Sequence, residues 1–170
     1  MRSSRLHQRL LFDIESGQVL DGDRRYVMLR ADVLMGAFDQ MEGPARELAL
    51  QTLGRSVTRF GSDSVRAYLA QVGPDALLQA MVDNSASLGW GVWSFRREGR
   101  QLWLEVRNSP FAAGSTRDDA PSCHAIVGML RATVAALWPE AARVRELRCV
   151  CQHLIPSDHC LFLADPAPEP

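Results

Sequence analysis

The chain has 170 residues, of which 46% are apolar, so it is long enough to bury a hydrophobic core without disulfide bonds. Its net charge of −1 excludes a global positive field that would attract nucleic acid or anionic lipid. No apolar run reaches the roughly eighteen residues of a membrane span, and the N-terminus lacks the features of a signal peptide. We therefore predict a cytoplasmic protein with no direct nucleic-acid partner and no membrane span.

Turn signals divide the N-terminal region into short strands. Residues 10–30 contain two apolar runs around Glu15-Ser16-Gly17, and Asp21-Gly22-Asp23 marks a second turn. Strands at the edge of a sheet present unpaired backbone groups, which can pair across a two-fold axis. The region 1–30 is therefore predicted to consist of strands that serve as a homodimerisation element.

Helical periodicity follows from residue 32 onward. Apolar residues recur at helical spacing after Asp32, and Gly43-Pro44 interrupts this pattern. A second helix is predicted to end at Gly61-Ser62-Asp63, where a third helix begins. Pro74 is suited to the first turn of a fourth helix.

The second half of the chain returns to strand patterns. Alternating residues around Glu98-Gly99 predict a β-hairpin, and residues 111–122 predict a loop. Residues 123–138 form a strongly apolar helix, while residues 143–151 and 159–163 predict two further strands. This order indicates an α+β fold, in which an antiparallel sheet is packed on one side by helices and ends in a zinc-clipped β-hairpin.

We predict a single domain over residues 1–165. Within it, residues 90–163 form the lobe that binds zinc and a ligand. The proline-rich residues 166–170 are predicted to be a disordered tail.

The cysteines carry the strongest chemical signal. All four lie between Cys123 and Cys160, together with three of the four histidines, and thiolate and imidazole are the ligands that zinc prefers. Cys123 begins a helix, where the dipole favours a thiolate. Cys149 and Cys151 lie two apart on a predicted strand, so they point to the same face. Three thiolates can thus meet, and the fourth ligand could be Glu146, Cys151 or a histidine. No HExxH motif is present, so the zinc is predicted to be structural.

Several segments resemble the 4-vinyl reductase domain family, which includes the sensory domain of phenol-responsive transcription activators. They are WGVW, VRNSPFA, CHAIVGMLRATVAALW, VRELRCVCQ and HCLFL. The resemblance extends from Trp90 to Phe162 and, more loosely, from Tyr26 to Gly89. The family is also related in fold to a subunit family of vesicle-tethering complexes.

The resemblance implies a set of four zinc ligands. They are Cys123, Glu146, Cys149 and Cys160, with Cys151 as an alternative to Glu146. This chain departs from the family pattern at Gln152-His153-Leu154, where a glycine is usual, and the gap from Cys149 to Cys160 is longer by about three residues. Glu146 and Cys149 also have opposite strand parity, so they share a metal only if the strand bulges or begins between them.

The resemblance further implies that a small hydrophobic or aromatic ligand binds between the helices and the sheet. The candidate lining residues are Tyr26, Trp90, Trp93, Phe95, Trp103 and Phe111. The phenol sensors anchor the ligand hydroxyl with a histidine and a tryptophan, and no histidine lies between His7 and His124. A ligand more apolar than phenol, or none, fits this chain better.

Three functions follow from these observations. The first is a zinc-stabilised ligand-binding or sensory domain that acts through a protein partner, since no P-loop or helix-turn-helix signature stands out. The second is a reductase or accessory factor in (bacterio)chlorophyll vinyl reduction, although no GxGxxG nucleotide fingerprint is present. The third is a structural or assembly protein, as the resemblance to vesicle-tethering subunits implies.

Overall fold

The computed structural model of the chain describes residues 6–152 and 157–166. Residues 167–170 of the predicted tail, and most of the turn at 152–154, lie outside this part. The N-terminal elements are one helical turn and three short antiparallel strands, namely α1 (Leu6–Arg9), β1 (Leu11–Asp13), β2 (Gln18–Asp21) and β3 (Arg24–Tyr26). The turns of this sheet depend on Gly17 and Gly22, which have φ values of 65° and 64° in the left-handed region.

Three helices follow in the chain, α2 (Ala31–Asp39), α3 (Gly43–Val72) and α4 (Pro74–Ser87). The predicted helix end at Gly61-Ser62-Asp63 is wrong, because α3 continues through it for 30 residues. Ser62 donates its hydroxyl hydrogen to the Thr58 carbonyl at 2.6 Å, so the serine bonds back into the helix instead of capping a new one. A Cβ atom at Gly61 would lie 3.0 Å from Met129 Cε, so the glycine serves helix packing.

The main sheet has four antiparallel strands in the order β4-β5-β7-β6. The remaining elements are β4 (Val92–Glu98), β5 (Gln101–Arg107), α5 (Pro110–Ala113), α6 (His124–Leu137), β6 (Ala142–Arg148) and β7 (His159–Pro166). The predicted mixture of helices and antiparallel sheet is confirmed. However, the strand expected over 143–151 ends at Arg148, so Cys149 and Cys151 lie beyond it instead of on one strand face.

Helix α6 lies at the centre of the fold, between α3 and the sheet. The side chains on the sheet face that packs against α6 are fully buried and include Leu104 and Phe162. On the other side α6 crosses α3 at Gly54 and Gly128, where a Cβ atom on Gly128 would lie 2.2 Å from the Gly54 carbonyl oxygen. Thr58 donates its hydroxyl hydrogen to the Gly128 carbonyl at 3.0 Å across the same crossing. The two glycines therefore set how closely the central helix approaches α3.

A buried ion pair joins the start of α3 to the loop that leads into α6. Arg46 Nε lies 3.1 Å from Asp39 Oδ1, and Arg46 Nη2 donates a hydrogen bond to Ser122 Oγ at 3.0 Å. Burial opposes the charged form of Asp39, but hydrogen bonds from Thr116, Ser115 and Arg46 keep its pKa below the usual value. This network fixes Ser122, the residue immediately before Cys123.

In the part of the chain that the structure describes, no helix combines the length and apolar character that crossing a bilayer requires.

Candidate metal centre and ligand cavity

Four side chains from separate elements meet beside the N-terminus of α6. Cys123 is the residue that precedes this helix, Glu146 lies on β6, Cys149 follows β6, and Cys160 lies on β7. Their sulfur and carboxylate atoms all lie within 4.8 Å of one another, and the three cysteines are almost completely buried. All four cysteines of the chain are free thiols.

A β-bulge in β6 turns Glu146, which lies on the strand, and Cys149, which follows it, toward the same side. Glu146 pairs with Phe162, but Arg148 pairs with the adjacent residue Leu161, so Leu147 is an extra residue in the strand. This extra residue reverses the alternation of the side chains. Glu146 and Cys149 consequently face the same interior, as the sequence requires if they are to share a metal.

The spacing of the sulfur atoms matches a tetrahedral zinc site. The Sγ atoms of Cys123, Cys149 and Cys160 are separated by 3.7, 3.8 and 3.9 Å. A zinc–sulfur bond of about 2.3 Å gives an edge of about 3.8 Å, because the edge of a tetrahedron is about 1.6 times the distance from its centre to a corner. The three thiols are thus spaced as they would be around one zinc ion.

Glu146 is the fourth member of the cluster and has an unsatisfied oxygen. Its Oε2 accepts a hydrogen bond from the Cys123 backbone N–H at 3.1 Å. Its Oε1 is buried and has no hydrogen-bond partner among the described residues. Burial and the neighbouring Cys149 raise the pKa of this carboxyl well above its usual value. A buried carboxylate oxygen without a donor is the kind of group that a cation satisfies.

Each of the three thiols has a further polar neighbour. Ser109 Oγ lies 3.3 Å from Cys123 Sγ, and the Val150 backbone N–H donates to Cys160 Sγ at 3.4 Å. Cys151 Sγ lies 3.1 Å from Cys149 Sγ. Such contacts orient ligands and stabilise thiolates in metal sites. The structure therefore places Cys151 next to a member of the cluster and Glu146 within the cluster.

The pKa values of the three clustered thiols are shifted in different directions. Hydrogen bonds from neighbouring cysteines, chiefly Cys123, lower the pKa of Cys160 to about 4 and that of Cys149 to about 7. Burial raises the pKa of Cys123 well above its usual value. In the absence of a metal, the sulfur atoms of this cluster are joined by hydrogen bonds between thiols. Zinc binds thiolates, so a bound zinc ion would displace the protons of these hydrogen bonds.

A separate apolar cavity of about 740 Å³ lies between the N-terminal sheet and the helices. Its walls come from the strand region up to Leu29, from α3 and α4, and from α6. Three of the predicted ligand-contacting residues line it, namely Tyr26, Trp90 and Phe111. Trp90 and Phe111 pack edge to face with their ring centroids 5.1 Å apart. The volume lies in the range of small-molecule sites.

The other three predicted contacts lie elsewhere. Trp93 is 2% exposed, and its indole N–H donates to the Trp90 carbonyl at 3.0 Å, so it supports the cavity wall from behind. Phe95 packs against Trp93 with ring centroids 6.0 Å apart. Neither residue lines the cavity.

Trp103 lies on the face of the sheet that points away from the helices. Its neighbours Leu102 and Leu104 are completely buried in the core, so alternation along β5 turns the indole outward. There the Arg96 guanidinium stacks over the ring at 5.3 Å from its centroid. Trp103 is therefore not part of the cavity.

Sequence reasoning missed the helical walls of the cavity. Most of these lie on α3 and α4 and include Leu53, Val57, Phe60, Met81 and Asn84. The helical periodicity of α3 was visible in the sequence, but periodicity identifies a buried face and does not distinguish a filled core from a hollow one.

Comparison with solved structures finds this fold in two proteins of low sequence identity. The chain is similar to the phenol-responsive sensory domain of the transcription activator PoxR, solved with phenol, at a TM-score of 0.74 and 18% identity, covering 95% of this chain and 86% of that one. It is also similar to a vinyl-4-reductase family protein from Methanocaldococcus jannaschii, at a TM-score of 0.52 and 13% identity, covering 81% of this chain and 90% of that one.

The two solved structures are those that the sequence resemblance predicts, and they confirm it at the level of the fold. No protein-family model matches the chain, and no curated protein matches it.

Proposed function

We propose that this protein is a zinc-stabilised domain that binds a small hydrophobic or aromatic molecule and reports its presence to a protein partner. The apolar cavity of about 740 Å³ carries this proposal, because its volume and its largely apolar lining are typical of small-molecule sites. The shared fold with a phenol-responsive sensory domain supports it. Tyr26, Trp90 and Phe111 contact the ligand, while Trp93 and Phe95 hold the wall in place.

In this proposal the zinc ion has a structural role. Cys123, Glu146, Cys149 and Cys160 form a closed set of four ligands, which is typical of structural zinc. The metal joins the start of α6 to β6 and β7. Because Ala125 and Met129 of α6 line the cavity, the metal centre fixes one cavity wall from its far side.

Filling the cavity is expected to abolish ligand binding. N-phenyl-1-naphthylamine, an uncharged apolar probe, should fluoresce strongly when it enters the wild-type cavity. Val57→Trp places a large side chain in the cavity wall and should weaken probe binding at least ~10-fold, equivalent to about 1.4 kcal/mol. Fluorescence titration measures the affinity.

The matched control is Arg66→Trp, which adds the same side chain at an exposed position of the same helix. It should bind the probe as the wild type does. Absence of probe binding by the wild type would contradict the proposed function.

We further propose that the chain forms a homodimer through its N-terminal sheet. Ile14, Val27 and Met28 are 84%, 81% and 76% exposed, which is unusual for large apolar residues grouped in one region. The strands β1 and β3 are the free edges of that sheet, so they can pair with a second copy.

A charge introduced on this surface is expected to dissociate the dimer. Met28→Glu places a like charge on both copies across a two-fold axis, where it would also be desolvated. Light scattering coupled to size-exclusion chromatography should give twice the chain mass for the wild type and one chain mass for the variant. A monomeric wild type would contradict the proposed dimer.

A further inference from the structure

Asn84 is a polar residue on the buried face of α4, where the other buried residues at helical spacing are apolar. The preceding buried residues on the same helix face are Leu77, Ala80 and Met81, and the spacing of seven, four and three residues leads directly to Asn84. Asn84 is only 5% exposed and lines the apolar cavity. An amide therefore stands at a position that leucine would fill.

The nitrogen of the Asn84 side-chain amide has a hydrogen-bond partner, and this hydrogen bond determines the orientation of the amide. Asn84 Nδ2 donates a hydrogen bond to the Ala80 carbonyl at 2.8 Å. The opposite orientation would place two acceptor oxygens against each other, so the hydrogen bond assigns Nδ2 to the Ala80 side. The acceptor Oδ1 consequently points away from the helix backbone.

The other half of the amide lacks a partner. Oδ1 of Asn84 is buried, and no donor among the described residues reaches it. A buried acceptor without a hydrogen bond costs about 1–3 kcal/mol, and leucine at the same position would avoid this cost. The Asn84 side chain thus lowers the stability of the ligand-free protein, and it lies on the wall of the cavity.

We propose that Asn84 Oδ1 is the specificity-determining acceptor of the cavity, and that the ligand is a compact apolar molecule that carries a hydrogen-bond donor. This inference rests on the proposed ligand-binding function. The donor satisfies Oδ1, while the apolar body contacts Trp90 and Phe111. A molecule without a donor leaves the oxygen unpaired in a site from which it has also displaced water, and it therefore binds more weakly.

Three bicyclic probes of similar shape test the proposal. Indole carries one N–H donor and no strong acceptor. In 1-methylindole a methyl group replaces the hydrogen of that donor, and benzothiophene has a sulfur atom in place of the N–H, so these two probes have no donor. Isothermal titration calorimetry on the wild-type full chain should show indole binding at least ~10-fold more tightly than the other two probes. In Asn84→Leu the three probes should bind with affinities within about threefold of one another.

A second measurement separates recognition from a structural role. Without ligand, Asn84→Leu should melt at or above the wild-type temperature, because the substitution removes an unpaired buried oxygen from an apolar surface. A residue that served only the fold would give a lower melting temperature and an unchanged preference for indole.

The outcomes distinguish this proposal from the proposed function. If the wild type binds all three probes equally, or if Asn84→Leu keeps the preference for indole, Asn84 is not the specificity determinant, although the cavity still binds apolar molecules. If neither these probes nor N-phenyl-1-naphthylamine binds the wild type, the ligand-binding function itself is wrong.

Discussion

Removal of the proposed zinc ion is expected to unfold the C-terminal half of this protein. Structural zinc sites contribute about 10–16 kcal/mol of apparent binding free energy in peptide models, which equals or exceeds the whole stability of a typical domain. Without a cation, Glu146 Oε1 has no partner among the described residues, and three buried thiols must share their protons. Wild-type protein purified under reducing conditions without chelator should contain about one zinc per chain by elemental analysis. Addition of a strong chelator should lower its melting temperature sharply.

Neighbouring substitutions on β7 separate a metal ligand from an ordinary polar residue. Cys160→Ser removes a completely buried sulfur of the cluster and should lose both zinc and stability. His159→Ala, one position earlier, removes a side chain whose contacts are Asp158 and Arg148 at the sheet edge. It should retain zinc and melt within a few degrees of the wild type. Equal melting curves for the two variants, or wild-type protein free of metal, would rule out the proposed metal centre.

The second large effect is expected at the helix crossing. Gly128→Ala places a Cβ atom 2.2 Å from the Gly54 carbonyl oxygen, which is backbone and cannot rotate away. The helices must separate, and overpacking of this kind costs about 1–3 kcal/mol or more. For a chain of this size each kcal/mol lowers the melting temperature by roughly 2–4 °C. Differential scanning calorimetry should therefore show a loss of several degrees.

Gly36→Ala provides the matched control for this substitution. Gly36 also lies within a helix, but a Cβ atom there would meet nothing within 4 Å. Alanine is favoured over glycine in a helix by about 1 kcal/mol, so this variant should be slightly more stable than the wild type. If Gly128→Ala were equally harmless, α3 and α6 would not be in the close contact described here.

The cluster of Cys123, Glu146, Cys149 and Cys160 was predictable because ligand chemistry depends on residue type. Thiolate and imidazole are the ligands that zinc prefers, and all four cysteines and three of the four histidines occur in one segment, so the sequence alone indicates which part of the chain should form the site. The opposite strand parity of Glu146 and Cys149 predicts that, if they share a metal, the strand must either bulge or begin between them, and the structure has a bulge at Leu147. What the pattern did not predict is that β6 ends before Cys149, because strand propensity does not mark the last hydrogen bond of a strand.

The cavity was less predictable, because it is a product of tertiary structure. Both faces of β5 carry large apolar residues, Leu104 on one face and Trp103 on the other, so alternation could not tell which face meets the helices. The walls also require the N-terminal sheet to lie against the middle of α3. The sequence predicts a helix end in that middle region, at Gly61-Ser62-Asp63. In the structure the helix continues, and the absence of a side chain at Gly61 leaves space for Met129 of α6.

The order of strands has a consequence for biosynthesis. The strand β7 follows both β5 and β6 in the sequence, yet it lies between them in the main sheet. Before β7 has been synthesised, β5 and β6 each lack the neighbour that β7 provides, and Cys160 is absent from the cluster. Nascent chains of this protein therefore expose two unpaired strand edges, which are prone to aggregate until β7 is added to the sheet.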